Sequence, residues 1–382
     1  MSVSTAPALP VTPATAEFGV LLEAVRSVVG GAPAGTGSGP AGEDLNWDYI
    51  RVIAGYHGVQ PLLFAWLKQH ATGVDSDVAD TIRQRVNART ANSLFLFQQL
   101  GHVCSRLEAA GVRSLTLKGP TLAQQVYGSL ALRPFVDIDL LIHPEDFGRV
   151  DALLSDDGYY SKPLTPYQKR VYVGIHRQYS YVKPSQAGPM RTLLPIDLHT
   201  AIMPPGYSCA ISFDDLWTRA RPMEVLGAQV MTPGTEDLLL ILCYHGFKNR
   251  WDRLKYACDV SMTIREEDEL DWDAFLRNAS RSGGRRMALL GILLADELLQ
   301  APLPPEIRRL SRAEPHLERL AREAISRLPD QAHMRVEPYM DRLRLNLLAQ
   351  DGLAGQLRYV LYSVARRASE VVLPEADEAR PA

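Results

Sequence analysis

Phe135-Val136-Asp137-Ile138-Asp139-Leu140-Leu141-Ile142, preceded eighteen residues earlier by Leu117-Lys118-Gly119-Pro120, is an apolar strand interrupted by two acids. Side chains of a strand alternate faces, so Asp137 and Asp139 point one way while Val136, Ile138 and Leu140 cover the other. Two carboxylates on one face repel unless a cation lies between them. Mg²⁺ takes oxygen ligands at about 2.0–2.1 Å and is commonly held by one or two carboxylates plus substrate phosphates, which makes it the natural ion for this pair. The plain alternative is a solvated edge strand whose acids discourage aggregation.

Working outward, Val112–Leu117 predicts a strand, Thr121–Tyr127 a short helix closed by Gly128, and Pro144–Leu154 a second helix. Two more strands are expected at Tyr172–Val182 and Leu193–Ile202, separated by the Pro184–Pro189 turn region. Gly119 allows close backbone approach, Pro120 suits a first helical position, and the N–H groups of a helix start attract phosphate. Lys118 on the same turn adds a point charge for a polyphosphate, and Arg133 is a further candidate for phosphate or substrate.

A third acid, Asp197 in Pro195-Ile196-Asp197-Leu198-His199, falls on a strand that can pair beside the first two. Three acids with phosphate oxygens suit two divalent ions and an in-line displacement with pyrophosphate as leaving group. On that scheme Asp137 and Asp139 hold both ions, while Asp197 binds the catalytic ion and helps deprotonate the acceptor. His199 shares a face with Asp197, where it orients the acid, contacts substrate, or is simply a half-buried imidazole satisfied by a carbonyl. His176 carries no spacing that requires a role.

Around this core the periodicity is helical. Residues 1–43 form an expected flexible tail with one helix-like segment, Glu17–Val29; residues 44–110 form a helical region whose third helix covers Asp77–Ala110 and stops at Gly111. The core occupies 111–235, a C-terminal helical domain 236–370, and a second tail 371–382. The fold class expected is α/β (α+β), a small mixed sheet flanked by N-terminal and C-terminal helical regions.

Composition limits the function. The 382 residues are enough for about two or three domains, and 46% hydrophobic content fills real cores. A net charge of −3 provides no overall basic footprint, which argues against a grip on long nucleic acid. Cys104, Cys209, Cys243 and Cys258 form no CxxC pair, so free thiols in a reducing cytoplasm are the simplest account. No positive charge precedes Arg26, and the apolar stretch Met287–Ala295 is far shorter than the ~20 residues of a spanning helix, so a cytoplasmic protein with no membrane segment is expected.

Leu117-Lys118-Gly119, Arg133, Asp137-Ile138-Asp139 and Asp197-Leu198-His199 together resemble the uncharacterised nucleotidyltransferase family of the DNA polymerase beta-like superfamily. The resemblance extends to His245, Lys248, Trp251, Leu254 and Asp259, and back to Trp47–Leu63, so that it covers roughly residues 45–265. It implies a nucleotidyltransferase core, Mg²⁺, an NTP donor and transfer of a nucleoside monophosphate to an acceptor, here a small molecule, peptide or protein. Within the helical signature Lys248 is a candidate for the nucleotide phosphates, whereas Trp251 and Asp259 read as packing residues. One departure stands out: the superfamily's Gly-Gly or Gly-Ser turn is Gly119-Pro120, which removes a backbone N–H and a hydroxyl. That departure keeps two rivals in view, a nucleotide-binding or regulatory protein without turnover and a toxin–antitoxin partner.

Overall fold

Leu96, Leu100, Val103, Cys104 and Leu107 recur at three- and four-residue steps, so one face of the long helix that carries them is apolar and must be buried. It packs on a mixed sheet. The computed structural model describes residues 16–31, 45–70, 76–185, 192–267, 269–329 and 339–372. Of the tails expected at residues 1–43 and 371–382, residues 1–15, 32–43 and 373–382 lie outside the described residues.

In chain order the described elements are α1 (Ala16–Val29), α2 (Trp47–Tyr56), α3 (Gln60–His70), α4 (Ser76–Ala109), β1 (Ser114–Thr116), α5 (Pro120–Tyr127), β2 (Ile138–Ile142), a 3₁₀ turn (Pro144–Asp146), α6 (Phe147–Asp156), β3 (Tyr160–Ser161), α7 (Pro166–His176), β4 (Gln178–Ser185) and β5 (Thr192–His199). There follow α8 (Phe213–Thr218), β6 (Arg221–Val225), β7 (Ala228–Thr232), α9 (Thr235–Lys248), α10 (Leu254–Glu266), α11 (Trp272–Ser282), α12 (Arg285–Leu299), α13 (Pro305–Ser311), α14 (Pro315–Arg327), α15 (Tyr339–Ala349) and α16 (Gly352–Val372). The chain is a mixed α/β protein that divides into two compact units, one of Met1–Val86, Leu242–Trp272 and Arg286–Leu345, the other of Asn87–Ile241, Asp273–Arg285 and Asn346–Ala382. No described helix is long and apolar enough to cross a membrane.

The first unit is helical. The apolar run expected from Met287 is α12, buried on every side from Met287 to Leu299, the pattern of a core helix. Its two acids are neutralised where they are buried: Asp296 pairs with Arg308 and Arg312, and Arg312 also pairs with Glu297. His57 bridges three segments, with Nε2 3.0 Å from the Leu328 carbonyl and Nδ1 accepting the Leu254 N–H at 3.3 Å. Trp251 is buried in this unit. A Cβ on Gly246 would lie 2.5 Å from its ring, so the ring occupies the space that glycine leaves.

The second unit contains a seven-stranded sheet in the order β3-β4-β5-β2-β1-β7-β6. β1 runs antiparallel to β2 and parallel to β7, β2 runs parallel to β5, and the two outer hairpins are antiparallel. Its two faces are chemically different. Ile138, Leu140, Tyr179, Tyr181, Ile196 and Leu198 point to the large core under α4 and α6. On the other face Leu115, Leu117 and Leu141 meet Phe213, Leu216 and Ile241 in a smaller apolar cluster, and Asp139, Gln178, Ser180, Asp197 and His199 share that face.

Three sequence expectations change. The strand expected from Phe135 begins at Ile138, leaving Val136 70% exposed in the preceding bend. The strand expected from Tyr172 is the end of α7, and β4 starts at Gln178 after Arg177 turns the chain with φ 56°. A capping box decides this: the Thr165 hydroxyl accepts from the Gln168 backbone N–H, the Gln168 side-chain Oε1 accepts from the Thr165 N–H, and Pro166 occupies the first turn. Finally, β3, β6 and β7 were absent from the sequence expectation.

Candidate functional site

The pairing of β2 with β5 sets Asp139 directly opposite Asp197 and Leu141 opposite His199. Asp139, Asp197 and His199 therefore share the polar face, since Ile138, Leu140, Ile196 and Leu198 take the core face. Each offers one ligand atom, all within 4.8 Å of one another. The two carboxylates offer the oxygen ligands that Mg²⁺ takes, so they fit the metal that the motif implies, and the imidazole stands beside them on Asp139.

Asp139 is 1% exposed. Its charge is balanced from two sides: Lys118 Nζ donates to Oδ2, and His199 Nε2 lies 3.0 Å from Oδ1. Burial pushes the carboxyl upward, but the Lys118 ammonium and the His199 contact outweigh it and hold the group well below the usual carboxylate range. Lys118 responds reciprocally: burial lowers its pKa, and the Asp139 and Asp137 charges more than reverse that and raise it. Both groups are ionised at neutral pH.

Asp197 is only partly buried, and two side chains of the neighbouring strand orient it. Gln178 Nε2 donates to Oδ2 at 2.6 Å and Ser180 Oγ to Oδ1 at 2.5 Å. Gln178 and Ser180 face the same way because they pair with His199 and Asp197 in the β4–β5 ladder. The sequence expectation missed both. Their signal was the polar/aromatic alternation Gln178-Tyr179-Ser180-Tyr181, hidden by running the strand back through α7.

The turn after β1 lies beside these acids. Leu117 N–H donates to the Asp139 carbonyl at 3.1 Å, which carries the chain straight into Lys118 and Gly119. Gly119 caps α5 with φ 69°, ψ −120°, the first central position of a type II′ turn and one that L-residues avoid. A Cβ there would sit 3.1 Å from the Asp137 carbonyl. Arg133 reaches back from the following loop, its Nη1 donating to the Gly119 carbonyl at 3.4 Å. Gln125 Nε2 holds α5 to the sheet through Thr232 Oγ1 at 3.1 Å.

Lys118, Gly119, Arg133, Asp137, Asp139, Asp197 and His199 are thus grouped around the ends of β1, β2 and β5. Asp137 differs from expectation in one respect: it lies in the bend before β2, outside the cluster of three ligand atoms, and acts on Lys118 through its charge. His176 stacks on Tyr172 with centroids 4.2 Å apart. Lys248 ends α9 and belongs to the first unit.

The sequence model of a family described as "Uncharacterised nucleotidyltransferase" matches residues 43–300. The chain belongs to this uncharacterised nucleotidyltransferase family. The match contains every motif from which the resemblance was read and all seven residues of the polar cluster. No curated protein matches the chain. Among solved structures, the crystal structure of an antigenic nucleotidyltransferase-like protein from Paracoccidioides brasiliensis aligns over 57% of this chain and 97% of its own, with 11% identity and a TM-score of 0.34. Membership of the nucleotidyltransferase family therefore rests on the family match.

Proposed function

We propose that this nucleotidyltransferase-family protein uses a divalent cation, Mg²⁺ in the cell, to transfer a nucleoside monophosphate from an NTP to a small-molecule, peptide or protein acceptor. The observation that carries the proposal is the facing pair Asp139 and Asp197 on adjacent parallel strands, with a lysine-bearing glycine turn opening a helix beside them. Asp139 and Asp197 would hold the ion, His199 would orient Asp139, and Asp137 is the added carboxylate for a second. A bound ion would supply charge neutralisation at the triphosphate and lower the pKa of the attacking oxygen.

The chain's own groups would do the rest. Lys118 and Arg133 would meet phosphate oxygens, and the first turn of α5 would present N–H groups without intrahelical partners. Asp197, held by Gln178 and Ser180, is oriented to accept the acceptor's proton. Pro120 favours the rival of a nucleotide-binding protein without turnover, because its ring removes one N–H from the phosphate side of the turn.

Incubation with cell extract and each NTP, labelled at either the α- or the γ-phosphate, separates the two. Covalent transfer of the α-label with pyrophosphate release supports the transferase. Transfer of the γ-label would refute it in favour of phosphorylation, and magnesium-dependent NTP binding with no transfer would leave the binding protein.

A further inference from the structure

Across the sheet from the acids, between α6 and α7, lies a cavity of about 440 Å³, within the ~300–1,000 Å³ range of small-molecule sites. Its side is settled by its walls. Phe147 and Val173 line it and also belong to or pack on the large core, the face opposite Asp139 and Asp197. It is therefore a separate compartment from the candidate nucleotide site, although Arg177 and Thr200 on its border precede Gln178 and follow His199 in the chain.

The charge on its lining is unbalanced. Asp151 is neutralised within the wall: Lys169 Nζ contacts its two oxygens at 2.8 and 3.0 Å and the Tyr181 hydroxyl donates to it at 2.7 Å. Two guanidinium groups remain, Arg170 and Arg177, and neither has an ion-pair partner among the described residues. Arg170 lies on α7 and Arg177 is the left-handed residue that closes it, seven positions later in the chain. Gly174 lies between them in the chain and lines the same cavity.

Two exposed glycines border the cavity. A Cβ on Gly148 of α6 or on Gly174 of α7 would meet nothing within 4 Å. Gly174 has no positive φ, so no left-handed backbone calls for a residue that weakens a helix relative to alanine. The cavity walls are apolar at Phe147, Leu164 and Val173, with the cations along one side.

We propose that this cavity binds a small organic dianion, an apolar body with two carboxylate or phosphate groups that engage Arg170 and Arg177. Guanidinium forks pair with either group through charge-assisted hydrogen bonds. The apolar walls select an organic skeleton over an inorganic ion. The site is independent of the nucleotidyltransferase proposal, since none of the residues assigned to the ion or the triphosphate lines it.

The test uses the full-length protein, with terephthalate and 4-carboxyphenyl phosphate as probes and the neutral terephthalamide as control, and reads binding by calorimetry and ligand-observed NMR. Either dianion should bind the wild type while the diamide does not. Arg170→Gln and Arg177→Gln should each weaken binding about tenfold or more, the loss of one charge-assisted contact. Gly174→Leu, which fills the space without touching a charge, should abolish it, with thermal melting confirming that the variant is folded. Asp139→Asn/Asp197→Asn should bind as wild type. No binding of either dianion to wild type, equal binding of the diamide, unchanged affinity in the arginine variants, or loss in the aspartate variant would each overturn the proposal.

Discussion

Gly119→Ala should destabilise the sheet unit far more than the same change at another left-handed glycine. Gly119 holds φ 69°, ψ −120°, and a Cβ there would lie 3.1 Å from the Asp137 carbonyl. Gly128, which closes α5, holds φ 62°, ψ 3°, and a Cβ there meets nothing within 4 Å. Alanine at Gly128 therefore incurs only the left-handed penalty, about 1 kcal/mol. Alanine at Gly119 enters a region that L-residues avoid altogether and crowds a carbonyl, so a total of about 2–3 kcal/mol is expected. With about 2–4 °C of Tm per kcal/mol for a domain of some 150–250 residues, Gly119→Ala should lower the melting temperature by roughly 4–12 °C and Gly128→Ala by roughly 2–4 °C. Differential scanning calorimetry measures both. Because relief of the contact must move either the Lys118 turn or Asp137, Gly119→Ala should also weaken magnesium-dependent NTP binding, whereas Gly128→Ala should not. Equal melting shifts, or a larger shift at Gly128, would refute the turn geometry on which the phosphate proposal stands.

The burial and charge of three other sites set further outcomes. Asp139 has its pKa depressed by Lys118 and His199 against the opposing effect of burial, so its contribution is full above the ordinary carboxylate value of about 3.9 and is lost as pH falls through the lower folded value. Asp139→Asn should flatten the acid limb of a stability–pH curve taken from urea melts, and an unchanged limb would contradict the assignment. All four cysteines are buried, and burial pushes the Cys104 thiol up to about 12. A thiol reagent at pH 8 should therefore react with none of them until denaturant is added, and Cys104 should cost the fold stability only as pH rises from about 8.5 toward that value. Gly246→Ala places a Cβ 2.5 Å from the Trp251 ring, and overpacking of this kind should cost about 1–3 kcal/mol in a urea titration; no loss would show that the ring has room to move.

The sheet's chemistry was readable because it obeys short-range rules. Alternation placed Asp139, and then Asp197 and His199, on a face shared with neither Ile138 nor Leu198, and the glycine turn announced a helix start at Pro120. Register and competition between local signals were not readable. Val171, Tyr172 and Val173 have strand-like side chains, yet the capping box at Thr165 and Gln168 commits them to α7. The β6–β7 hairpin turns through Leu226 and Gly227, both with positive φ, and a leucine in that position conceals the usual asparagine–glycine signal. Asp137 looked like an equal partner of Asp139 because the strand was extended three residues too far. Only the pairing of β2 with β5 shows that the strand begins after it, at Ile138, with both acids acting on Lys118 through their charge.

The central claim is that Asp139 and Asp197 hold a divalent cation for an NTP, and Mn²⁺ titration followed by electron paramagnetic resonance tests it most directly. Wild type should bind Mn²⁺, more tightly with NTP present, and Mg²⁺ should compete. Asp139→Asn and Asp197→Asn should each lower the affinity by about tenfold or more while remaining folded. Mn²⁺ binding of the same strength in wild type and both variants would contradict the account.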